Sequence, residues 1–310
     1  MRVFLAGASG AIGTPLVRQL VAAGHETTGI TSREEKVDGI RRAGARAIVC
    51  DALDRPAVEA AVGEARPDVV INQLTRLPQK YNPRSIDYGP TNEVRAEGGT
   101  NLIAGARGAG ARRFITQSIA FIYAPEGEPI KDEEGRPFED APPPFDEGVR
   151  ALLGHEREVL ELEDMQGVVL RYGQFYGPAT YFAPGGSIAE QVRKRRFPVV
   201  GKGTGISSFI HVEDAAGATV AALEHGPPGI YNVVDDEPSP LREWLPVYAE
   251  ALGAKPPRSI PRWLARLVGG RMAAAMAIGM RGASNQKAKD LLEWTPGYPS
   301  WRQGFREALG

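Results

Sequence analysis

Short apolar runs alternate with amphipathic stretches through the first half of the chain. Residues 3–6, 26–30, 47–50, 69–72, 114–117 and 168–171 read as strands. Most of the gaps between them, about 20 to 30 residues, suit crossover helices such as 55–65 and 92–108. This alternation predicts a parallel sheet covered by helices. The stretch 124–148 breaks the rhythm. It is rich in Pro, Gly and acid, with Pro142, Pro143 and Pro144 near its end, and predicts a long, weakly ordered surface loop. Such a loop would lie over the carboxyl edge of the sheet, where open α/β folds bind ligands. After Arg171 an aromatic and glycine turn spans 172–178, followed by helices over 188–195 and 215–224 and a late strand over 230–234. From residue 236 onward the chain reads as helical and Pro-punctuated.

The first strand runs directly into Gly7-Ala8-Ser9-Gly10-Ala11-Ile12-Gly13, and a helix closed by Gly24 follows. Strand, glycine turn and helix in that order form the context of a dinucleotide site. Gly7 and Gly10 let backbone approach a pyrophosphate at the helix N-terminus, where free N–H groups favour anions. Gly13 allows close packing of helix on strand. The predicted fold is therefore α/β, a Rossmann-type doubly wound parallel sheet with a smaller, mostly helical C-terminal lobe. A dinucleotide-binding lobe would span 1–171, with 209–235 returning to it. Residues 172–208 and 236–310 would form the substrate-binding lobe.

Composition narrows the class. The chain has 310 residues, 42% hydrophobic and 24% charged, with a net charge of −1. Such a balance gives no field to recruit nucleic acid or an anionic membrane. The basic cluster Arg193–Arg196 stands beside Glu190 and reads as a solvated helix end. A single cysteine, Cys50, excludes an internal disulfide and reads as a buried thiol in a reducing compartment. No apolar run approaches the roughly 20 residues of a membrane span. The chain opens on its first strand without a leader, so a cytoplasmic protein is expected. No His, Cys and carboxylate set has metal-ligand spacing.

Taken together, these motifs resemble the extended short-chain dehydrogenase/reductase superfamily, of the NAD-dependent epimerase/dehydratase type. The resemblance runs nearly end to end. It rests on the Gly7–Gly13 turn, Asp51, Asn92 ahead of Gly99-Thr100-Asn101-Leu102, and Ser118. It continues through Arg171-Tyr172-Gly173-Gln174-Phe175-Tyr176-Gly177-Pro178, Phe209-Ile210-His211-Val212-Glu213-Asp214, Ser284-Asn285-Gln286-Lys287-Ala288-Lys289 and Trp294. It implies a nicotinamide cofactor, a small-molecule substrate, and dimerisation through two long helices, here near 92–108 and 148–163.

Two departures bear on chemistry. The family's Tyr-x-x-x-Lys pair is absent, since none of the nine tyrosines has a lysine four residues downstream. On the helix after the loop, the expected positions become Arg150 and Gly154, or Leu153 and Arg157. The family also grips a substrate diphosphate with an arginine just before Phe209, where this chain has Ser207 and Ser208. Serine cannot supply a bidentate cationic fork. An atypical member acting on a small polar, non-nucleotide substrate is expected; Arg281 is a candidate to meet an acidic one.

The cofactor contacts are expected from Gly7, Ser9, Gly10, Ala11, Ile12 and Gly13, with Thr31, Ser32 and Arg33 at the end of the second strand. Ser32 and Arg33 read as a pocket for a 2′-phosphate, which favours NADP over NAD; the alternative pairs Arg33 with Glu34 and Glu35. By the resemblance, Asp51, Ala52 and Leu53 meet the adenine, Asn72, Gln73 and Leu74 the ribose side, and Tyr172 the cofactor. Ser118 would hold the substrate oxygen, with Tyr123 or a water as proton source. Gln174, Tyr176 and Tyr181 would face the substrate. His155 is placed on the solvent side of its helix. Two functions follow: an oxidoreductase or epimerase-like enzyme, or a catalytically degenerate NADP-binding regulator.

Overall fold

The computed structural model describes residues 1–82 and 86–309. Five strands open the chain: β1 (Arg2–Ala6), β2 (Glu26–Thr31), β3 (Arg46–Val49), β4 (Val69–Asn72) and β5 (Arg113–Ile119). β6 (Ile130–Lys131) lies in the following loop, and β7 (Gln166–Tyr172) rejoins the sheet. The short strands β8 (Gln174–Tyr176), β9 (Val199–Val200), β10 (Ile206–Ser207) and β11 (Phe209–His211) come next, before β12 (Gly229–Val233). Seven strands form one sheet in the order β12-β7-β5-β4-β1-β2-β3. Every pairing in it is parallel. The order reverses after β3, leaving a crevice at the carboxyl ends of β1 and β4.

The helices are α1 (Gly13–Ala22), α2 (Val37–Arg42), α3 (Arg55–Ala65), α4 (Gly89–Glu93), α5 (Gly99–Gly108) and α6 (Phe145–Leu160). Beyond them come α7 (Ser187–Arg193), α8 (Val212–Ala221), α9 (Leu241–Ala251), α10 (Arg262–Gly279), α11 (Gln286–Leu291) and α12 (Trp301–Leu309). Strand parity sorts the sheet into two faces. Val3, Leu5, Ile71 and Leu170 pack against Leu16 and Leu20 of α1 and Ala215 and Ala218 of α8. Phe4, Val70, Phe114 and Val169 pack against Val58 and Val62 of α3, Leu102 and Ala106 of α5, and Val159 of α6. A third core gathers Phe182, Phe209, Trp244, Tyr248, Trp301 and Phe305 from the later elements.

Three local expectations change. The helix expected over 92–108 is broken: α4 ends at Glu93, and a π-helical turn over Val94–Gly98 precedes α5. A π-turn inserts one residue and rotates the side chains that follow it. The loop over 124–148 is tied down rather than free. Tyr123 bridges Pro137, Phe138 N donates to Ile122 O, and β6 pairs with Gly282–Ala283. Its last residues already belong to α6, which starts at Phe145.

Candidate active site

The residues predicted around the glycine turn, and those at Ser32, Arg33 and Asp51–Leu53, follow the carboxyl ends of β1, β2 and β3. After β1, Gly7 adopts φ +84°, and a Cβ there would stand 2.6 Å from Gln73 O. At Gly13 a Cβ would stand 2.1 Å from Gly7 O. Those two glycines are demanded by chain packing alone. Gly10 is different. It is exposed, and a Cβ would meet only Gly7 O at 3.3 Å. α1 has no side-chain cap and no acid in its first turn. The Ala11 and Ile12 amides donate to no described residue. An uncapped helix start with an open glycine before it suits a phosphate anion.

Beside this turn, Ser9 Oγ and Thr31 Oγ1 lie 2.9 Å apart, and Arg33 N donates to Thr31 Oγ1 at 3.3 Å. Ser32 and Arg33 are exposed. Among the described residues, Arg33 makes no ion pair with Glu34 or Glu35. After β3, Asp51 Oδ1 accepts from Leu53 N at 3.1 Å, and the carboxylate pairs with Arg76 at 3.3 Å. Ala52 is buried, and its carbonyl accepts from Asn101 Nδ2 at 2.9 Å.

Several residues expected to face ligand are instead interior. Asn72 is 2% exposed; its Oδ1 accepts from Leu74 N and its Nδ2 donates to Thr116 Oγ1 at 3.2 Å. Tyr172 is fully buried in the face packed by α1 and α8, its hydroxyl held by Gln73 Nε2 (2.9 Å) and Thr219 Oγ1 (2.7 Å). Tyr176 lies in the third core, its ring edge-on to Phe209, Phe305 and His211 and its hydroxyl against Gly304. Strand parity turns both rings away from the crevice. Gln174 is half-buried with Nε2 3.6 Å from Met280 Sδ. The Tyr181 hydroxyl donates to Pro78 O.

Tyr123 is also enclosed. Its hydroxyl donates to Asn232 Oδ1 at 2.7 Å and accepts from Arg171 Nη1 at 3.2 Å, with the residue 2% exposed. Burial pushes its pKa up to about 12 against the opposing pull of Arg171. A phenol held this way is not poised over the crevice. Ser118, in contrast, is 1% exposed and its Oγ has no partner. Gln73 Oε1, Thr91 Oγ1, Asn92 Oδ1 and Arg95 Nε are likewise buried and unpaired. All of them lie on the carboxyl side of β4 and β5 or on the chain between them. Such orphans call for a partner.

α6 turns neither of the expected pairs, Arg150 and Gly154 or Leu153 and Arg157, fully inward. Its buried face carries Phe145, Gly148, Val149, Leu152, His155, Glu156 and Val159. Arg150, Gly154 and Arg157 are exposed, and Leu153 is half-buried. The inward i,i+4 positions at the pocket end are therefore Gly148 and Leu152. Leu152 packs with Ala120 and Ile122, just beyond Ser118, and a Cβ on Gly148 would lie 3.9 Å from Asn92 Oδ1. Neither position carries an ionisable group.

His155 belongs to this inner face and not to solvent. It is 6% exposed, with Nε2 3.0 Å from Thr116 Oγ1 and 3.2 Å from Asn72 Nδ2, and Nδ1 3.2 Å from Glu158. Arg281 is half-buried; its Nη2 donates to Pro125 O, and its Nε has no partner among the described residues. Cys50 is buried, which raises its thiol pKa. Among the described residues no helix is long and apolar enough to cross a membrane. Among the described residues no group of side chains could hold a metal ion.

The model of the NAD dependent epimerase/dehydratase family matches residues 3–233, from the first strand through the last strand of the sheet. The chain belongs to that family. A 3-diazoavenalumate denitrifying reductase from a Streptomyces species is 45% identical over 98% of this chain and 99% of its own. The Thermus thermophilus UDP-glucose 4-epimerase, solved with NAD, is 26% identical, covers 100% of this chain and 98% of its own, and superposes with a TM-score of 0.74. The human epimerase family protein SDR39U1, solved with NADPH, shares the fold at 20% identity, TM-score 0.74, covering 100% of this chain and 99% of its own. A Rossmann-type fold of the extended short-chain dehydrogenase/reductase superfamily and a nicotinamide cofactor fit the open glycine turn. Reductases are among the relatives.

Proposed function

We propose that this family member is an NADP(H)-dependent reductase acting on a small, non-nucleotide substrate whose reduction needs no acid from the protein. The observation that supports the reading is the inner face of α6: its inward i,i+4 positions at the pocket end, Gly148 and Leu152, carry no ionisable group, and Tyr123 is enclosed with Asn232 and Arg171. Reducing a carbonyl leaves an alkoxide that must be protonated, so loss of the acid argues against that chemistry.

A diazo acceptor removes the requirement. NADPH, when bound, would supply a hydride; transferred to an arenediazonium, it would form the C–H bond as the C–N pair leaves with N2, so that no proton would be consumed. The Streptomyces relative is named for reductive denitrification of a diazo compound. Ser207 and Ser208, in place of a diphosphate-gripping arginine, support a non-nucleotide substrate. Ser208 Oγ is used inside the fold, accepting from Ala283 N at 2.9 Å. Unpaired Arg33 beside Ser32 supports NADP over NAD. The lobe formed by 172–208 and 236–310 would close over the substrate.

The test is NADPH oxidation followed by absorbance, with N2 release, over a panel of arenediazonium salts, quinone diazides and carbonyl compounds. Turnover is expected with the diazo compounds. Tight NADPH binding without oxidation by any of them overturns the reading and favours a cofactor-binding regulator. Arg33→Ala is expected to weaken NADPH about tenfold or more while leaving NADH unchanged.

A further inference from the structure

Among the described residues three arginines are buried: Arg95, Arg113 and Arg171. Two are fully used. Arg113 donates to Gln166 Oε1 and to the carbonyls of His225 and Gly226. Arg171 pairs with Glu156 through two hydrogen bonds. Arg95 has none. It is 8% exposed, its Nε is buried without a partner, and among the described residues no carboxylate or carbonyl meets its guanidinium. A buried charge left so is strongly unfavourable. Burial pulls its pKa down to about 10, so at neutral pH the guanidinium still keeps its proton and its charge.

The π-turn over Val94–Gly98 places Arg95 on the inner side of its segment, with Val94 and Gly98. Gly98 lies against Leu74 at the exit of β4, with a Cβ there 3.3 Å from Leu74 Cδ1. One turn earlier on the same side are Thr91 and Asn92, whose side-chain oxygens are also unpaired. Tyr88 is the ionisable side chain whose field reaches the guanidinium, and Arg95 in turn favours the tyrosinate of Tyr88. Tyr88 packs with Phe121, Phe145, Val149 and Leu152 at the pocket end of α6. Its field also reaches Tyr81 and Tyr181, whose rings lie 6.0 Å apart. A cation without a counter-ion among the described residues thus stands on the inner side of the segment that follows β4, within the field of Tyr88.

We propose that Arg95 is the substrate-recognition residue of this site and takes the carboxylate of an aromatic or conjugated acid. A carboxylate supplies the planar, two-oxygen acceptor that a guanidinium fork fits. The neighbouring tyrosines provide the apolar faces for a conjugated body. The cofactor pyrophosphate belongs to the turn after β1, so this cation answers to a second anion. The proposal rests on the reductase reading for the identity of the bound molecule, but the binding test below is independent of turnover.

Protein saturated with NADP⁺ is titrated by calorimetry with trans-cinnamate and with cinnamamide, its neutral isostere. The acid is expected to bind at least about tenfold tighter than the amide. Arg95→Gln should abolish that preference with the NADP⁺ affinity unchanged, and Arg95→Lys should keep part of it. Equal affinity of the unaltered protein for acid and amide overturns the proposal, a result that requires no variant to fold. So does an Arg95→Gln protein that still prefers the acid. Loss of NADP⁺ binding in Arg95→Gln, with circular dichroism unchanged, would reassign Arg95 to the cofactor and also overturn it. Carboxylate preference without any diazo turnover would leave Arg95 in place and remove the reductase reading alone.

Discussion

Arg171 on β7 and Glu156 on α6 face each other as a buried ion pair, Nε to Oε1 at 2.9 Å and Nη2 to Oε2 at 2.6 Å, with side chains 3% and 4% exposed. The pair ties α6 to the sheet, and Arg171 reaches on to the Tyr123 hydroxyl. Glu156→Ala strands a guanidinium in the core and should cost about 3–5 kcal/mol in urea unfolding. Glu156→Leu combined with Arg171→Met should recover much of that loss. A single variant as stable as the parent would show the pair to be dispensable.

Tyr123→Phe separates structure from chemistry. It removes a hydrogen bond to Asn232 and one from Arg171, a stability cost of about 1–3 kcal/mol, and diazo turnover should stay within a few-fold of the parent. A loss of a hundredfold or more in turnover would return Tyr123 to the role of proton donor.

The same phenol predicts a pH dependence. Its pKa in the fold is about 12, above the value near 10 of an unfolded tyrosine. Between those values the unfolded chain has released the proton and the folded chain retains it, so the unfolded state binds fewer protons. Stability from this group is complete below pH 10 and declines as pH rises toward 12. The decline over that window should be shallower in Tyr123→Phe than in the parent; parallel curves would contradict the assignment.

Gly10→Asp tests the glycine turn. The position is exposed, so folding should change by about 1 kcal/mol or less. A carboxylate there would oppose the pyrophosphate, and NADPH affinity should fall about a hundredfold or more. Unchanged affinity would place the cofactor elsewhere.

Gly99 and His155 are predicted to be coupled. A Cβ at Gly99 would lie 2.3 Å from His155 Cε1, so Gly99→Ala must displace the imidazole from Thr116 and Asn72. The single variant should lose about 1–3 kcal/mol. In a His155→Ala background the same change should cost far less, a coupling that a double-mutant cycle reads directly. Additive costs would mean that the imidazole does not fill the gap.

The order of elements, the sheet and the glycine turn were legible in the amino-acid sequence because each is written locally: β-branched runs, helical spacing, and glycines next to a strand end. The absence of a Tyr-x-x-x-Lys pair is likewise a fact of the sequence alone. What sequence could not supply is which way a side chain points once elements pack. Tyr172 and Tyr176 were expected at the ligand, but strand parity turns them into the cores. A core stripe of Leu152, Leu153, Val159 and Leu160 would leave His155 outside; Leu152 and Val159 do pack, but with His155 and Glu156 in place of Leu153 and Leu160. The π-turn that leaves Arg95 inward and unpaired shifts helical phase by a residue, and nothing in the periodicity of 92–108 marks it. Local chemistry determines which elements form, whereas the orientation and company of each polar group are decided by contacts far apart in the chain.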